Sequence, residues 1–181
     1  GFSSPIVVGD YVFVTCYSDA RDLKNLKRHL ICVDRHNGNI AWSKTFSSDA
    51  TEVRGPTFGT GHGYASHTPV SDGERVYVLF GSSGVRAFDM KGKELWRQAV
   101  GSENAAMFGS AASPILYKDL LIVTAGAESE VIRALDTKPG DEMLVAEGAS
   151  LCRCYCTPTI FSDAPGLQRL CMLGSTTLWG R

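Results

Sequence analysis

Short runs of β-branched and aromatic residues alternate with turn-forming Gly, Asp, Asn and Pro along the whole chain. Such alternation predicts β-strands joined by tight turns, and the runs fall into groups. The first three groups predict four strands each, at residues 5–8, 11–17, 29–34 and 40–46; at 67–71, 75–81, 85–89 and 94–100; and at 113–117, 120–126, 131–136 and 143–147. A fourth group predicts three strands, at residues 157–161, 169–174 and 177–181.

The groups are copies of one another. A small residue, an Asp two places on, a turn Gly and then an aromatic or Leu recur at residues 32–42, 87–96 and 134–144, and each group begins at a Ser or Thr followed by Pro. The prolines at 69, 114 and 158 are 45 and 44 residues apart. A period of about 40–50 residues built from short strands is typical of β-propeller blades. We therefore predict an all-β single domain, a partial propeller of about three and a half four-stranded blades at residues 1–46, 64–100, 109–148 and, incomplete, 155–181.

The recurring residues have physical roles in this interpretation. The Asp side chains should accept backbone N–H groups of the turn, and the glycines should supply a positive φ that tightens it. The indoles should lie against the turn of an adjacent blade and bury on the order of 200 Å² each. These predicted blade-docking residues are Asp34, Gly38, Trp42, Asp89, Gly92, Trp96, Asp136 and Gly140. The third copy carries Leu144 where the others carry Trp, which predicts weaker docking there.

Composition narrows the function classes. The chain is 44% hydrophobic and 20% charged, with a net charge of -1. Acidic and basic residues are interspersed, so the sequence predicts no extended positive surface that would attract nucleic acid. No apolar run is long enough to span a membrane. The six cysteines do not follow the pattern of a small disulfide scaffold. Cys16 and Cys32 lie on predicted neighbouring strands, so either a cross-strand pair or two buried free thiols is expected.

Two glycine-rich segments lead into the innermost strands of the second and third blades, at residues 54–67 and 104–110. The innermost strands of a propeller line its central channel, and the segments before them form the usual binding face. We expect His62, Tyr64, Ser66 and Ser110 to contact a ligand or peptide there. The alternative is that the glycines only permit close packing around the axis and the polar groups bind channel water.

Two further segments carry residue types used in binding. Cys152, Cys154 and Cys156 alternate, so an extended strand would place three sulfurs on one face, as zinc ligands or as small apolar side chains against a neighbouring blade. Residues 19–28 connect the second and third predicted strands of the first blade and contain Leu23 and Leu26 among basic residues. This composition predicts either a partner-docking turn or a solvated loop. We predict no metal site and assign no catalytic residue.

The repeated pattern resembles the tryptophan-docking repeat of the pyrroloquinoline quinone (PQQ) propellers, and residues 63–78 and 109–117 look like PQQ-binding-like repeat proteins of planctomycete-type bacteria. The resemblance implies an exported or periplasmic protein of seven or eight blades, whose leader would lie outside this chain. It also implies completion by further blades or by self-association, since repeat units are stabilised by their neighbours. A relative of this architecture is the lipoprotein that assists outer-membrane barrel assembly.

The resemblance leaves two functions open. The first is a non-catalytic binding scaffold for protein or small-molecule partners, without a cofactor. The second is a PQQ-dependent quinoprotein dehydrogenase acting on alcohols or sugars, which would need calcium, an Asp base and an aromatic platform beneath the quinone. The alcohol-oxidising enzymes of that class often carry an adjacent Cys-Cys pair, and this sequence has none.

Overall fold

Four antiparallel sheets follow one another along the chain in a computed structural model that describes residues 2–19, 23–47, 64–101, 110–148, 151, 154–164, 167–173 and 178–180. The first sheet contains β1 (Ile6–Val8), β2 (Tyr11–Ser18), β3 (Lys27–Asp34) and β4 (Ile40–Ser47). The second contains β5 (Val70–Ser71), β6 (Arg75–Leu79), β7 (Val85–Asp89) and β8 (Glu94–Gln98). The third contains β9 (Ile115–Tyr117), β10 (Leu120–Ala125), β11 (Val131–Asp136) and β12 (Glu142–Glu147).

The fourth sheet has three strands, β13 (Thr159–Ala164), β14 (Leu167–Leu173) and β15 (Leu178–Gly180). In every sheet the strands are hydrogen-bonded in chain order. Short helices join the second and third strands of the first three sheets, at Leu23–Asn25, Gly81–Ser83 and Gly126–Ser129. The prediction of an all-β chain built from three four-stranded blades and a fourth three-stranded one is confirmed. No helix among the described residues is long and apolar enough to cross a membrane.

The sheets stack face to face, and the alternation of side chains along each strand explains why. On β6, Val76 and Val78 pack towards the first sheet, while Tyr77 and Leu79 pack towards the third. On β10, Val123 joins the cluster shared with the second sheet and Ile122 joins the cluster shared with the fourth. The central strands of the middle blades are therefore apolar on both faces, which is why they read as continuous hydrophobic runs.

The innermost strands are shorter than the sequence indicates. Residues 67–71 were predicted to be extended, but β5 contains only Val70 and Ser71. The reason is that the Thr68 backbone N–H donates to Ser113 Oγ of the next blade instead of to a strand of its own sheet, and Pro69 has no N–H to donate. The chain therefore contacts the next blade before it enters its own sheet.

Candidate functional site

The two ends of the sheets carry different connections. Since consecutive strands are antiparallel, the turns after the first and third strands of each sheet lie at one end, here called the turn end. The three short helices and the segments that lead into the innermost strands, including residues 64–69 and 110–114, lie at the other, here called the linker end. Of the predicted ligand residues, Tyr64, Ser66 and Ser110 belong to the linker end, and the predicted docking residues belong to the turn end.

His67 occupies a buried position at the linker end. Its side chain is fully buried, and Nε2 lies 2.9 Å from Oγ of Ser110. Ser110 lies in the segment that leads into the innermost strand of the next blade. Burial lowers the pKa of His67 to about 3; the charge of Arg28 adds to this effect, and the backbone of Leu79 opposes it. The imidazole is thus neutral at physiological pH and joins two blades through one hydrogen bond.

Arg28 crosses from the first blade to the second. Its guanidinium is buried, with Nε donating to the Tyr64 carbonyl oxygen at 2.8 Å and one terminal nitrogen donating to Ser83 Oγ at 2.7 Å. Such charge-assisted bonds fix both the segment at Tyr64 and the helix Gly81–Ser83 against β3. The role of Arg28 was missed from the sequence, although the alternation of Leu26, Arg28 and Leu30 could have indicated an inward side chain.

The four predicted ligand residues have different positions. His62 lies outside the described residues. Tyr64 is buried, and its ring makes an edge contact with Tyr17 at 5.5 Å between centroids. Ser66 is partly buried, and the hydroxyl of Ser110 is engaged with His67. The side chains of Tyr64 and Ser110 therefore support the linker end from inside.

A repeated hydrogen bond connects the blades beside this cluster. The residue before each proline donates its backbone N–H to the hydroxyl of the equivalent residue in the next blade: Ser4 to Thr68 at 3.1 Å, Thr68 to Ser113 at 2.9 Å, and Ser113 to Thr157 at 3.0 Å. We call this series the hydroxyl ladder. It holds the starts of all four innermost strands in register.

The turn end has the local chemistry expected of the repeated Asp and Gly. Asp34 Oδ1 accepts the backbone N–H of His36 at 2.8 Å, and Asp89 Oδ1 accepts those of Lys91 and Lys93 at 2.9 and 2.8 Å. Asp136 Oδ1 accepts the N–H of Lys138 at 2.7 Å. The three turn glycines have φ values of +75°, +82° and +81°, a region that favours glycine.

Both described indoles contact the turn of the following blade. Trp42 Nε1 donates to the Met90 carbonyl oxygen at 3.0 Å, and Trp96 Nε1 donates to the Thr137 carbonyl oxygen at 3.0 Å. The rings lie so close to Gly92 and Gly140 that a Cβ there would be 2.9 and 2.5 Å from ring carbons. At the same position of the third blade, Leu144 is 56% exposed.

The remaining predicted sites differ from expectation in part. Cys16 pairs in register with His29, and Cys32 pairs with Phe13, so the possible Cys16–Cys32 disulfide is wrong; both thiols are free. Leu26 and Arg28 are buried, so the part of the segment at residues 26–28 is not the solvated loop that was one expectation. In the described part of the chain, no group of three or more His, Cys, Asp or Glu could hold a metal ion.

Comparison with known proteins places this geometry in context. The family model for the outer membrane protein assembly factor BamB matches residues 1–148. The solved structure of BamB from Moraxella catarrhalis is 18% identical, with a TM-score of 0.66, and the match covers 99% of this chain and 46% of that one. No curated protein sequence matches the chain.

Two solved enzymes share the fold. Quinohemoprotein alcohol dehydrogenase from Comamonas testosteroni is 19% identical, with a TM-score of 0.57 over 81% of this chain and 21% of that one. A quinohemoprotein alcohol dehydrogenase from Pseudomonas putida is 14% identical, with a TM-score of 0.60 over 94% of this chain and 28% of that one. The chain thus spans less than half the length of these similar structures, and the propeller fold is what they have in common with it.

Proposed function

Because the chain belongs to the family of the outer membrane protein assembly factor BamB, we propose that it acts in the cell envelope as a non-catalytic β-propeller scaffold. Its partners would be polypeptides, with small molecules as a second class, bound by the segments of the linker end. In this proposal the protein is exported, and the indole contacts of the turn end dock the blades to one another.

The state of the linker end carries this proposal. A general acid or base works best when its pKa lies near the operating pH, whereas the pKa of His67 is held at about 3. Arg28 and Ser110 are likewise engaged in bonds between blades. These bonds hold the segments of the linker end to neighbouring blades, which suits a surface that presents its outer segments to a partner.

The described residues do not fit a quinone site. A PQQ enzyme would need an aromatic platform and carboxylate ligands for calcium at one place. Trp42 and Trp96 are engaged with the turns of the following blades, at the end opposite His67. No cluster of three acidic or other metal-binding side chains occurs within the described ranges. The dehydrogenase alternative is therefore a matter for the test below.

A surface on the third blade suggests how the scaffold is extended. On the outermost strand β12, Met143, Leu144 and Val145 are 61%, 56% and 37% exposed. Leu144 occupies the position at which Trp42 and Trp96 are covered by a following turn. We propose that the outer part of the fourth blade, in a longer chain, covers Leu144, as the turn after the third strand of the following blade covers Trp42 and Trp96.

Binding of an unfolded outer membrane polypeptide, diluted from urea onto the purified chain, tests the scaffold. We expect His62→Ala, in the segment that the sequence predicts to contact a partner, to weaken binding at least fivefold. His36→Ala should leave it unchanged, because the 62% exposed His36 side chain lies at the turn end. Equal losses in both variants would contradict binding at the linker end. Retention of added PQQ and calcium, with dye reduction on alcohols, would favour the dehydrogenase.

A further inference from the structure

We propose that Cys154 and Cys156 form a thiol–disulfide exchange site that reacts with a low-molecular-weight disulfide and closes into an intrachain disulfide. Their sulfurs lie 3.6 Å apart, in the segment that leads into the innermost strand of the fourth blade. Both thiols are free. An approach of about 1.5 Å would bring the sulfurs to bonding distance.

The two thiols differ in their contacts with Leu173. The Leu173 backbone N–H lies 3.0 Å from Cys156 Sγ and donates to it. The Leu173 carbonyl oxygen accepts from both thiols, from Cys154 Sγ at 2.9 Å and from Cys156 Sγ at 3.2 Å. An N–H donor stabilises a thiolate, whereas a carbonyl acceptor stabilises a protonated thiol. The carbonyl contact thus favours the protonated thiol of Cys154, whereas Cys156 both donates to Leu173 and accepts from it.

Burial separates the two thiols further. Cys154 belongs to the apolar cluster between the third and fourth sheets, where Ile132, Leu151 and Met172 are also buried, while Cys156 is partly exposed. Burial raises the pKa of Cys154 to about 11, and the contact with Cys156 adds to this effect. Among the described residues, Cys156 is the titratable group that acts on Cys154. The exposed Cys156 is therefore the attacking thiol, and Cys154 is the resolving one.

The reaction balances in two displacements. The Cys156 thiolate attacks one sulfur of the external disulfide, forming a mixed disulfide and releasing one thiolate. Cys154 then loses its proton to solvent and attacks Cys156 Sγ, which expels the second thiolate. The protein loses two electrons and two protons, and the external disulfide gains two electrons to become two thiols. A ring closed across a single intervening residue adds little loop-closure stabilisation, so such a bond suits exchange rather than structural support.

The chain offers a clean way to locate the bond. Trypsin cleaves after Arg153 and Arg169, so residues 154–169 form one peptide that contains Cys154 and Cys156 but neither Cys152 nor Cys171. The reduced full chain is incubated with oxidised glutathione, and the remaining thiols are blocked with a maleimide. The protein is then digested with trypsin, and the peptide masses are measured by mass spectrometry. We expect this peptide to lose the mass of two hydrogens and to resist the maleimide. Linkage of two peptides, or glutathione confined to other cysteines, would overturn the proposal.

Variants test the assigned order. In Cys154→Ala the peptide should stop at the glutathione adduct on Cys156, since the resolving thiol is gone. In Cys156→Ala modification of the remaining Cys154 should slow at least tenfold, while Cys16→Ala, which removes a partly buried cysteine of β2, should match the parent. The closing step should quicken about tenfold per pH unit below pH 11, as the Cys154 thiolate fraction rises. Equal rates in Cys156→Ala and the parent, or closure independent of pH, would refute this order.

Discussion

Replacing the turn glycines with alanine separates two reasons for their presence. Gly38 and Gly140 have nearly the same conformation, with φ of +75° and +81°. A Cβ at Gly38 would meet no atom within 4 Å, whereas one at Gly140 would lie 2.5 Å from Cδ2 of Trp96. Gly38→Ala is therefore a matched control that changes only backbone strain, while Gly140→Ala also displaces the indole.

The expected magnitudes differ accordingly. Alanine in the left-handed region costs about 1–2 kcal/mol, and both variants carry this cost. In Gly140→Ala the ring of Trp96 must move, because real Cβ contacts do not reach 2.5 Å. Its bond to the Thr137 carbonyl oxygen contributes about 1 kcal/mol, and overpacking against Tyr77 costs about 1–3 kcal/mol. We expect Gly140→Ala to lower the free energy of unfolding by about 3–6 kcal/mol and Gly38→Ala by about 1–2 kcal/mol.

Urea unfolding followed by far-UV circular dichroism measures both losses, with the m-value checked for constancy. The background variant Trp96→Ala supplies the decisive comparison, because in it the added methyl of Gly140→Ala has no ring to displace. The cost of Gly140→Ala should then fall to that of Gly38→Ala. If the two glycine variants cost the same in the parent chain, contact with the indole does not determine the residue at this turn.

Two other perturbations address the linker end. The pKa of His67 is lowered to about 3 in the folded state, so as the pH falls the imidazole is protonated in the unfolded chain before it is protonated in the folded one. The contribution of neutral His67 to the free energy of unfolding is therefore complete above pH 6.5 and is lost as the pH falls towards 3. We expect urea unfolding to show about 2 kcal/mol of this loss between pH 7 and pH 5. If His67→Gln loses stability with falling pH as steeply as the parent chain does, His67 is not the cause. Ser113→Ala removes the acceptor of the Thr68 N–H and should cost about 1–3 kcal/mol. Ser113→Thr should restore most of it, and equal melting of the two variants would contradict the ladder.

Much of the fold could be predicted from the sequence because its signals are local. The strand β7 was predicted with the same bounds that it has, since Gly84 precedes it and the turn of Asp89 follows it. The innermost strands were less predictable. Thr68 and Ser113 look like strand residues, but their N–H groups bond to the next blade, and such partners are invisible until the order of the blades is known.

The candidate site was harder to predict, for a related reason. The composition of the segments before the innermost strands indicated a binding face, but composition does not tell which way a side chain points. Tyr64 was expected to face a ligand, yet its ring packs on Tyr17 and its carbonyl oxygen binds Arg28. Arg28 itself was assigned to the charged segment 19–28 because that segment is rich in charged residues. The alternation of buried and more exposed residues in β3 shows instead that Arg28 belongs to the strand and points inwards.

The hydroxyl ladder explains why a residue with a hydroxyl group precedes the prolines at 69, 114 and 158. A residue before proline is held extended, and the following proline has no N–H, so the local backbone cannot complete a normal strand pair. The free N–H of Thr68 must find an acceptor outside its sheet, and Ser113 in the next blade provides one. Thr68 and Ser113 thus each serve the blade before them through their hydroxyl and the blade after them through their N–H. Loss of the Thr157 hydroxyl would therefore harm the third blade, which donates from Ser113, before it affects the fourth.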